Sequence, residues 1–218
     1  HNSKVLIIGA GGIGSPAILF LVRAGVLNIG VVDHDKVSKS NLHRQIFFDQ
    51  KDIGQKKVLV TKNKIRHLDK KIQINIFNKK INSSNLRSII KNYDYIIDGT
   101  DNFKSKLNIN DVCAKFKKKL FIGAVSRFDA HIFFFDFKKN GSCLRCFMPS
   151  EPRVSPRCQD EGILGTVTGT AGTIIANELI KDVTDIGSSL VNKGLIINFE
   201  NLQFRKIQIK KSKHCKNH

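Results

Sequence analysis

The glycines near the start of the chain are the first residues whose spacing could do chemistry. Gly9-Ala-Gly11-Gly-Ile-Gly14 follows the apolar run at 4–8, and Asp33 ends the next apolar run, 19 residues after Gly14. Glycines allow a tight turn in which backbone amides approach a phosphate at a helix N-terminus, where the helix dipole favours an anion. A carboxylate at the end of the second strand can accept hydrogen bonds from ribose hydroxyls. The pattern predicts a nucleotide site, with a merely tight strand–helix turn as the alternative.

Cysteines form a second pattern, which could bind a metal. Cys143 and Cys146 make a Cys-x-x-Cys pair, and Cys215 with His218 makes Cys-x-x-His. The two pairs have the spacing of two halves of a tetrahedral zinc knuckle. We therefore expect structural Zn²⁺ on these four residues, with His214 as the reserve fourth ligand and reduced, metal-free thiols as the alternative. A redox Cys-x-x-Cys is disfavoured because no thioredoxin-like context surrounds it.

Two other cysteines stand alone. Cys158 lies in a loop with Arg153 and Arg157, and nearby cations stabilise a thiolate, so it is a candidate nucleophile. An inert loop thiol is the alternative. Cys113 lies beside Val112 in an otherwise amphipathic segment, and we expect it in the core.

The charge balance is strongly basic. Of the 218 residues, 37 are Lys or Arg and 18 are Asp or Glu, a formal net charge of +19. Such a charge could serve nucleic-acid binding. The basic residues are spread along the whole chain without a recognisable nucleic-acid motif, and the abundance of Lys, Asn, Ile and Phe is what AT-rich coding would produce. We therefore favour compositional drift over nucleic-acid binding, although an acidic partner would be attracted.

The sequence predicts a cytoplasmic location. The start of the chain does not combine a basic segment, an apolar run and a small-residue cleavage site, so a signal peptide is not expected. The segment 162–180 is weakly polar but broken by threonines and glycines, which is typical of a packed helix and not of a membrane span. We expect a cytoplasmic protein that does not associate with membranes.

Apolar runs alternate with helix-like segments over the first 124 residues. Strands are expected near 4–8, 29–32, 72–77, 94–98 and 119–124, and helices near 17–24, 55–68, 83–91 and 103–117. Such alternation predicts a parallel sheet with helices on both faces. A dense aromatic strand at 131–137, a helix at 165–181 and strands at 194–199 and 203–209 follow. We predict one α/β domain over 1–218: a Rossmann-like, doubly wound, mostly parallel sheet with added antiparallel strands at the C-terminal side.

Further motifs follow the glycine turn. They are Asp33-His-Asp35, Val37-Ser-x-Ser-Asn41-Leu-His-Arg44-Gln45, Gly54-Gln-Lys-Lys57 and Asp98-Gly-Thr-Asp101-Asn102. In this combination the chain resembles, over essentially its whole length, the ThiF/MoeB/HesA family, the bacterial relatives of ubiquitin-activating enzymes. The P-loop pattern G-x-x-x-x-G-K-[ST] is absent from the sequence, so the ATP site that the family implies is of another type.

The resemblance implies a site for ATP and Mg²⁺. The nucleotide-binding positions are Gly9, Gly11, Gly12, Gly14, Asp33, Asn41, Arg44, Lys57 and Asp101. Adenylation is attack by a carboxylate on the α-phosphate with loss of pyrophosphate, and fixed cations and a metal stabilise the negative charge that gathers there. Arg44 and Lys57 would supply positive charge, and Asp101 would hold Mg²⁺. Lys56 is the alternative to Lys57, because the family usually has proline where Lys56 stands.

The resemblance also implies a substrate. The family adenylates the C-terminal glycine of a small ubiquitin-like sulfur carrier protein ending in Gly-Gly, and a homodimer is expected. The linker at 49–53 and the Cys158 loop favour the ThiF branch of thiamine biosynthesis, in which the matching cysteine takes part in linking to the carrier. MoeB, the molybdopterin branch, is the nearest alternative. A NAD-dependent oxidoreductase would have no use for Arg44 and Lys57, and a catalytically dead scaffold is disfavoured by the intact Arg44 and Asp101.

The chain departs from the family pattern at both ends. The family commonly has a second Cys-x-x-C where this chain has Cys215 and His218. It also places a helical segment with an arginine ahead of the first strand, whereas this chain starts at His1, three residues before that strand. We therefore expect the chain to lack that segment.

Overall fold

The structure, a computed structural model, describes residues 3–139, 141–152 and 162–217. Two candidates named above, Cys158 and His218, lie outside these residues. The strands are β1 (Lys4–Ile8), β2 (Asn28–Val32), β3 (Gln73–Phe77), β4 (Tyr95–Asp98), β5 (Lys119–Ser126), β6 (Asp129–Asp136), β7 (Lys193–Asn198) and β8 (Gln203–Gln208). The helices are α1 (Gly14–Arg23), α2 (Lys57–Leu68), α3 (Ser83–Ile90), α4 (Phe103–Lys115), the single turn α5 (Leu144–Phe147) and α6 (Gly165–Thr184).

The described strands form an eight-stranded sheet in the order β3-β2-β1-β4-β5-β6-β7-β8. The strands from β3 to β5 pair in parallel, and β6, β7 and β8 are antiparallel to their neighbours. The change occurs at β5 because only two residues join β5 to β6, and a connection that short permits an antiparallel hairpin alone. The predicted mostly parallel, Rossmann-like sheet with added antiparallel strands is confirmed.

The order of the strands places a crevice above β1. Ile8, the last residue of β1, lies opposite Val32 of β2 on one side and Asp98 of β4 on the other. The chain adds β2 and β3 on one side of β1 and then returns to add β4 on the other. The loops that leave the carboxyl ends of β1, β2 and β4 therefore diverge, and ligands of open α/β sheets bind at such a switch point.

The sheet separates two apolar layers. Val5 and Ile7 face a layer covered by α1, α2 and α6, whereas Leu6 and Ile8 face a layer covered by α3 and α4. Alternate strand residues point to opposite faces, so the continuous apolar sequence of β1 is that of a strand buried on both sides. None of the helices in the described ranges is long and apolar enough to cross a membrane.

Candidate functional site

The glycine turn joins the carboxyl end of β1 to the start of α1. Gly9 adopts φ +94°, and a β-carbon there would lie 2.9 Å from the carbonyl oxygen of Gly99, which follows β4. A β-carbon on Gly14 would lie only 1.9 Å from the carbonyl oxygen of Gly9. Gly9 therefore supplies the left-handed turn, and Gly14 lets the helix start directly against that turn.

A cavity of about 330 Å³ opens at the crevice above β1. The predicted nucleotide-binding residues that line it are Gly9, Gly11, Gly12, Asp33, Asn41, Arg44, Lys57 and Asp101. Gly14 is buried beneath the turn and is not among the lining residues. Loops that are far apart in the sequence thus bring eight of the nine predicted residues to one cavity.

Asp33 connects the glycine turn to the end of β2. Its Oδ2 accepts a hydrogen bond from the Ala10 amide at 2.8 Å, and its Oδ1 accepts one from the Asp35 amide at 2.8 Å. Each carboxylate oxygen has a second lone pair, so both can still accept a bond from a ligand hydroxyl. These two backbone contacts fix the orientation of the carboxylate.

Lys57 is a buried cation at the first residue of α2. Its Nζ lies 3.1 Å from Asp35 Oδ2, its side chain is 4% exposed, and its backbone amide donates to the Asp35 carbonyl at 3.0 Å. Lys56, the alternative, is exposed. The structure therefore places the ammonium of Lys57, and not that of Lys56, in the cavity.

Arg44 and Asn41 come from the loop between β2 and α2. The Arg44 guanidinium donates to the Ser40 carbonyl oxygen at 3.2 Å and lies 3.2 Å from His43 Nε2. His43 Nε2 in turn lies 3.2 Å from the carbonyl oxygen of Ile163, just before α6. The loop that carries Arg44 is thereby connected to the segment that precedes α6.

Beneath the Thr100-Asp101-Asn102 motif lies a buried pair that the sequence analysis missed. Asp98 is fully buried, and its Oδ1 accepts hydrogen bonds from the amide and the hydroxyl of Thr100 at 2.9 and 2.7 Å. Lys106 Nζ lies 3.5 Å from that oxygen and donates to the Gly123 carbonyl at 2.7 Å. Lys106 lines the cavity. In the sequence, it could have been recognised by its position one turn into the helix that follows the Thr100-Asp101-Asn102 motif.

Two buried acceptors at the site have no hydrogen-bond partner among the described residues. They are Asp98 Oδ2 and Gln45 Oε1, and Gln45 also lines the cavity. An unsatisfied buried acceptor is unfavourable unless a water or a ligand satisfies it. The Gln45 amide is therefore a ligand-contacting candidate that sequence reasoning passed over, although it adjoins Arg44 in the motif.

Carboxylates suited to a hard cation also line the cavity. The side-chain ligand atoms of Asp33, His34 and Asp35 lie within 4.8 Å of one another. Asp101 is exposed at the mouth of the cavity, where its Oδ1 accepts from Asn102 Nδ2 at 3.3 Å. Oxygen donors of this kind suit Mg²⁺.

Three cysteines meet near the C-terminal end of α4, away from the cavity at its first residue. The Cys143 sulfur lies 3.5 Å from that of Cys215 and 3.9 Å from that of Cys146. Sulfurs bound tetrahedrally at 2.3 Å from zinc are about 3.8 Å apart, so the three thiols fit such an ion. Among the described residues the group contains only these cysteines, which leaves His214 outside it. The remaining candidate ligand, His218, is outside the described residues.

The thiols of this group differ in acidity. Burial raises the pKa of Cys215 to about 12, and the neighbouring thiols of Cys143 and Cys146 add to the effect. At Cys146 burial acts in the same direction, but hydrogen bonds from the backbone of Ser212 and Cys143 outweigh it and lower the pKa. A thiol must lose its proton to bind a metal, so binding here would be coupled to proton release.

The two remaining cysteines are Cys113 and Cys158. Cys113 is fully buried in the layer below α4, and burial raises its pKa well above the ordinary value. Its expected place in the core is confirmed. Cys158, with the flanking Arg153 and Arg157, lies outside the described residues.

The fold and the cavity define a Rossmann-like nucleotide-binding domain. A family model described as ThiF family matches residues 1–217. The chain belongs to the ThiF family.

Individual relatives agree with this assignment. A sulfur carrier protein adenylyltransferase of Thermus thermophilus is 32% identical over 220 residues, covering 98% of this chain and 81% of that protein. A "Probable molybdopterin-synthase adenylyltransferase" of Porphyra purpurea is 37% identical over 213 residues, covering 95% of this chain and 55% of that protein. The chain spans about half the length of several curated relatives.

A solved structure shares the fold. The crystal structure of E. coli MccB with ATP superposes with a TM-score of 0.87 at 22% identity, covering 99% of this chain and 66% of that chain. At this identity the likeness concerns the fold.

Proposed function

We propose that this chain adenylates the C-terminal glycine of a small ubiquitin-like sulfur carrier protein, with ATP as the nucleotide donor. The observation that carries the proposal is the single cavity lined by Arg44, Lys57 and Asp101 above the glycine turn. The name of the Thermus relative, a sulfur carrier protein adenylyltransferase, supports the same reaction. The chain is accordingly a nucleotidyltransferase, and a NAD-dependent oxidoreductase is disfavoured.

The residues divide the binding of ATP between them. The glycine turn and the start of α1 would face the phosphates, where the helix dipole favours negative charge. Asp33, held by two backbone amides, would accept hydrogen bonds from the ribose hydroxyls. Gln45 would use its unsatisfied amide oxygen on a donor of the bound substrates.

The chemical step needs positive charge that is already in position. The carrier carboxylate attacks the α-phosphorus, a new carboxylate–phosphorus bond forms, and the bond to the departing pyrophosphate breaks. Arg44 and Lys57 would stabilise the charge on the phosphates in the transition state. When ATP binds, Lys57 would exchange its contact with Asp35 for one with a phosphate oxygen. Its ammonium would then lie close to the reacting atoms.

Two metal ions fit the side chains. Asp101 would hold Mg²⁺, which when bound would neutralise phosphate charge, and Asp33 and Asp35 line the same cavity. Cys143, Cys146 and Cys215 would hold a structural Zn²⁺, with His218 as the proposed fourth ligand. The zinc would connect the loop after β6 to the C-terminal segment.

Pyrophosphate exchange tests the adenylation step. Carrier-dependent incorporation of labelled pyrophosphate into ATP should fall on the order of 10²–10³-fold in Arg44→Ala and in Asp101→Ala, because each removes one positioned contact. Lys104→Ala is the matched control, since Lys104 is an exposed residue of α4 outside the cavity. Normal exchange in both site variants would reject the assignment.

The carrier is proposed to belong to thiamine biosynthesis. In that branch Cys158 would capture the activated carrier or its sulfur, so Cys158→Ala should block thiamine-directed sulfur transfer and leave pyrophosphate exchange intact. The name of the Porphyra relative favours the molybdopterin branch as the second candidate. Complementation of a thiamine-requiring strain beside one that lacks molybdenum cofactor decides between them. Rescue of only the second strain, unaffected by Cys158→Ala, would select the molybdopterin branch.

The assembly and location are proposed from the family resemblance. A homodimer in the cytoplasm is the arrangement that the resemblance supports. Sedimentation of the purified protein with ATP tests the dimer, and a monomer at all concentrations would contradict it.

A further inference from the structure

The two halves of the thiol group come from distant parts of the chain. Cys143 and Cys146 lie in the segment after β6, and Cys215 lies 72 residues beyond Cys143. Thiols form only weak hydrogen bonds with one another. Something other than the sulfurs must therefore hold the two segments together before the ion binds.

One carboxylate contacts both segments. Asp111, near the end of α4, accepts hydrogen bonds from Arg145 Nε and Nη2 at 2.6 and 2.7 Å. It also accepts from Asn217 Nδ2 at 2.9 Å and lies 2.9 Å from Lys216 Nζ. Arg145 stands between Cys143 and Cys146, whereas Lys216 and Asn217 directly follow the third cysteine. The Asp111 side chain is 24% exposed, so solvent screens these contacts only in part.

The contacts extend to the sulfur itself. Asn217 Nδ2, which donates to Asp111, lies 3.7 Å from the Cys143 sulfur. The residue before Asp111 contributes as well, because Asn110 Oδ1 accepts from the Leu144 amide at 2.9 Å. The end of α4 therefore fixes the backbone that follows Cys143, and Asp111 holds the Asn217 amide that donates to the Cys143 sulfur.

We propose that Asp111 is the positioning residue of the zinc group: it joins Arg145 of the first cysteine pair to Lys216 and Asn217 of the second, so that the thiols are in place before the ion binds. This inference rests on the proposed structural zinc. Asp111 acts on the sulfurs through Arg145, Lys216 and Asn217. Groups that orient metal ligands typically change metal affinity by 10–100-fold when they are removed.

Zinc affinity tests the inference directly. In the reduced full-length chain, competition with a chromophoric chelator should give a zinc dissociation constant about 10–100-fold higher in Asp111→Asn than in the wild type. Asp52→Asn is the matched control, because Asp52 is an 8% exposed carboxylate that pairs with Lys64 at 2.9 Å and belongs to another part of the fold. The control should bind zinc as the wild type does.

The outcomes separate the inference from the zinc proposal. Zinc binding by the wild type with unchanged affinity in Asp111→Asn would overturn the positioning role and leave the zinc site standing. A wild type that binds no zinc would overturn both. If Asp111→Asn does not fold, Arg145→Ala replaces it, since it removes both Arg145 hydrogen bonds to Asp111 and leaves the donor to Cys143 in place. A several-fold loss of affinity in Arg145→Ala supports the role, and unchanged affinity refutes it.

Discussion

Lys57 Nζ lies 3.1 Å from Asp35 Oδ2, and the Lys57 side chain is only 4% exposed. This buried cation is therefore paired with a carboxylate before ATP binds. The backbone amide of Lys57 also donates to the Asp35 carbonyl oxygen. Asp35 thus contacts Lys57 twice. ATP has to compete with the carboxylate for the ammonium, and this competition can be measured.

Asp35→Asn should lower the stability of the free protein and increase its stabilisation by ATP. The substitution leaves a buried ammonium without its anion, which costs about 1–3 kcal/mol, or about 2–4 °C of Tm per kcal/mol at this chain length. The phosphates would then meet Lys57 without competition from the Asp35 carboxylate. Thermal melting with and without MgATP measures both effects, and an ATP-induced shift no larger than that of the wild type would contradict the expectation.

Lys57→Ala and Lys56→Ala form a matched pair of neighbouring substitutions. We expect Lys57→Ala to reduce carrier-dependent adenylation on the order of 10²–10³-fold, because it removes a positioned charge from the phosphates. Lys56→Ala should leave the rate within a factor of two to three, roughly the scatter of a neutral surface change. Both are checked by pyrophosphate exchange. Equal losses in the two variants would mean that general charge, and not the position of Lys57, matters.

Gly9→Ala should destabilise the fold more than Gly25→Ala. Both glycines have positive φ, +94° and +84°, so both substitutions introduce about 1–2 kcal/mol of backbone strain. A β-carbon at Gly9 would also lie 2.9 Å from the Gly99 carbonyl oxygen, whereas nothing lies within 4 Å of one at Gly25. Urea unfolding of the two variants separates strain from close contact. If the two free energies of unfolding agree, the approach of Gly9 to Gly99 is not tight.

The stability of the metal-free protein should depend on Asp111 at acid pH. Burial would raise the pKa of this carboxyl, but hydrogen bonds from Arg145, Asn217 and Lys216 outweigh it and lower the pKa from 3.8 to about 2. A lowered folded-state pKa contributes stability that is complete above the unfolded value and is lost as pH falls from about 4 towards 2.

Denaturant unfolding in chelator and reductant measures this dependence. The difference in unfolding free energy between wild type and Asp111→Asn should be constant near pH 5 to 6 and shrink below pH 4. A difference that does not change between pH 5 and pH 2 would show that the charge of Asp111 does not contribute.

The sequence predicts the backbone well because its signals are local. Apolar runs alternating with helical segments determine the parallel strands, and the glycine turn with Asp33 marks the crevice. The sequence predicts that α1 starts at residue 17, whereas the helix begins at Gly14. Pro16 and the glycines resemble a turn in sequence, yet proline is tolerated in the first turn of a helix. The short α5 was not predicted, since a single turn has no periodicity.

The partners of the site residues could not be predicted in the same way. The family resemblance predicts that Lys57 and Asp101 face one cavity, and the structure places them there. The sequence pattern carries no information on which charged side chains pair when only folding brings them together. The pairing of Lys106 with Asp98 and the contacts of Asp111 are of this tertiary kind. They follow from the packing of α4 against β4, β5 and the C-terminal segment.

Helix α4 reaches both the nucleotide cavity and the thiol group. Its first residue, Phe103, lines the cavity, and Asp111 stands in its last two turns. Thirteen residues rise about 20 Å. Its amide hydrogens can therefore report on two ligands at once: ATP should slow deuterium exchange in the first turn, and removal of zinc should speed it in the last. Overlapping peptides that end within α4, measured by mass spectrometry, would separate its first turn from its last and so record the occupancy of each site.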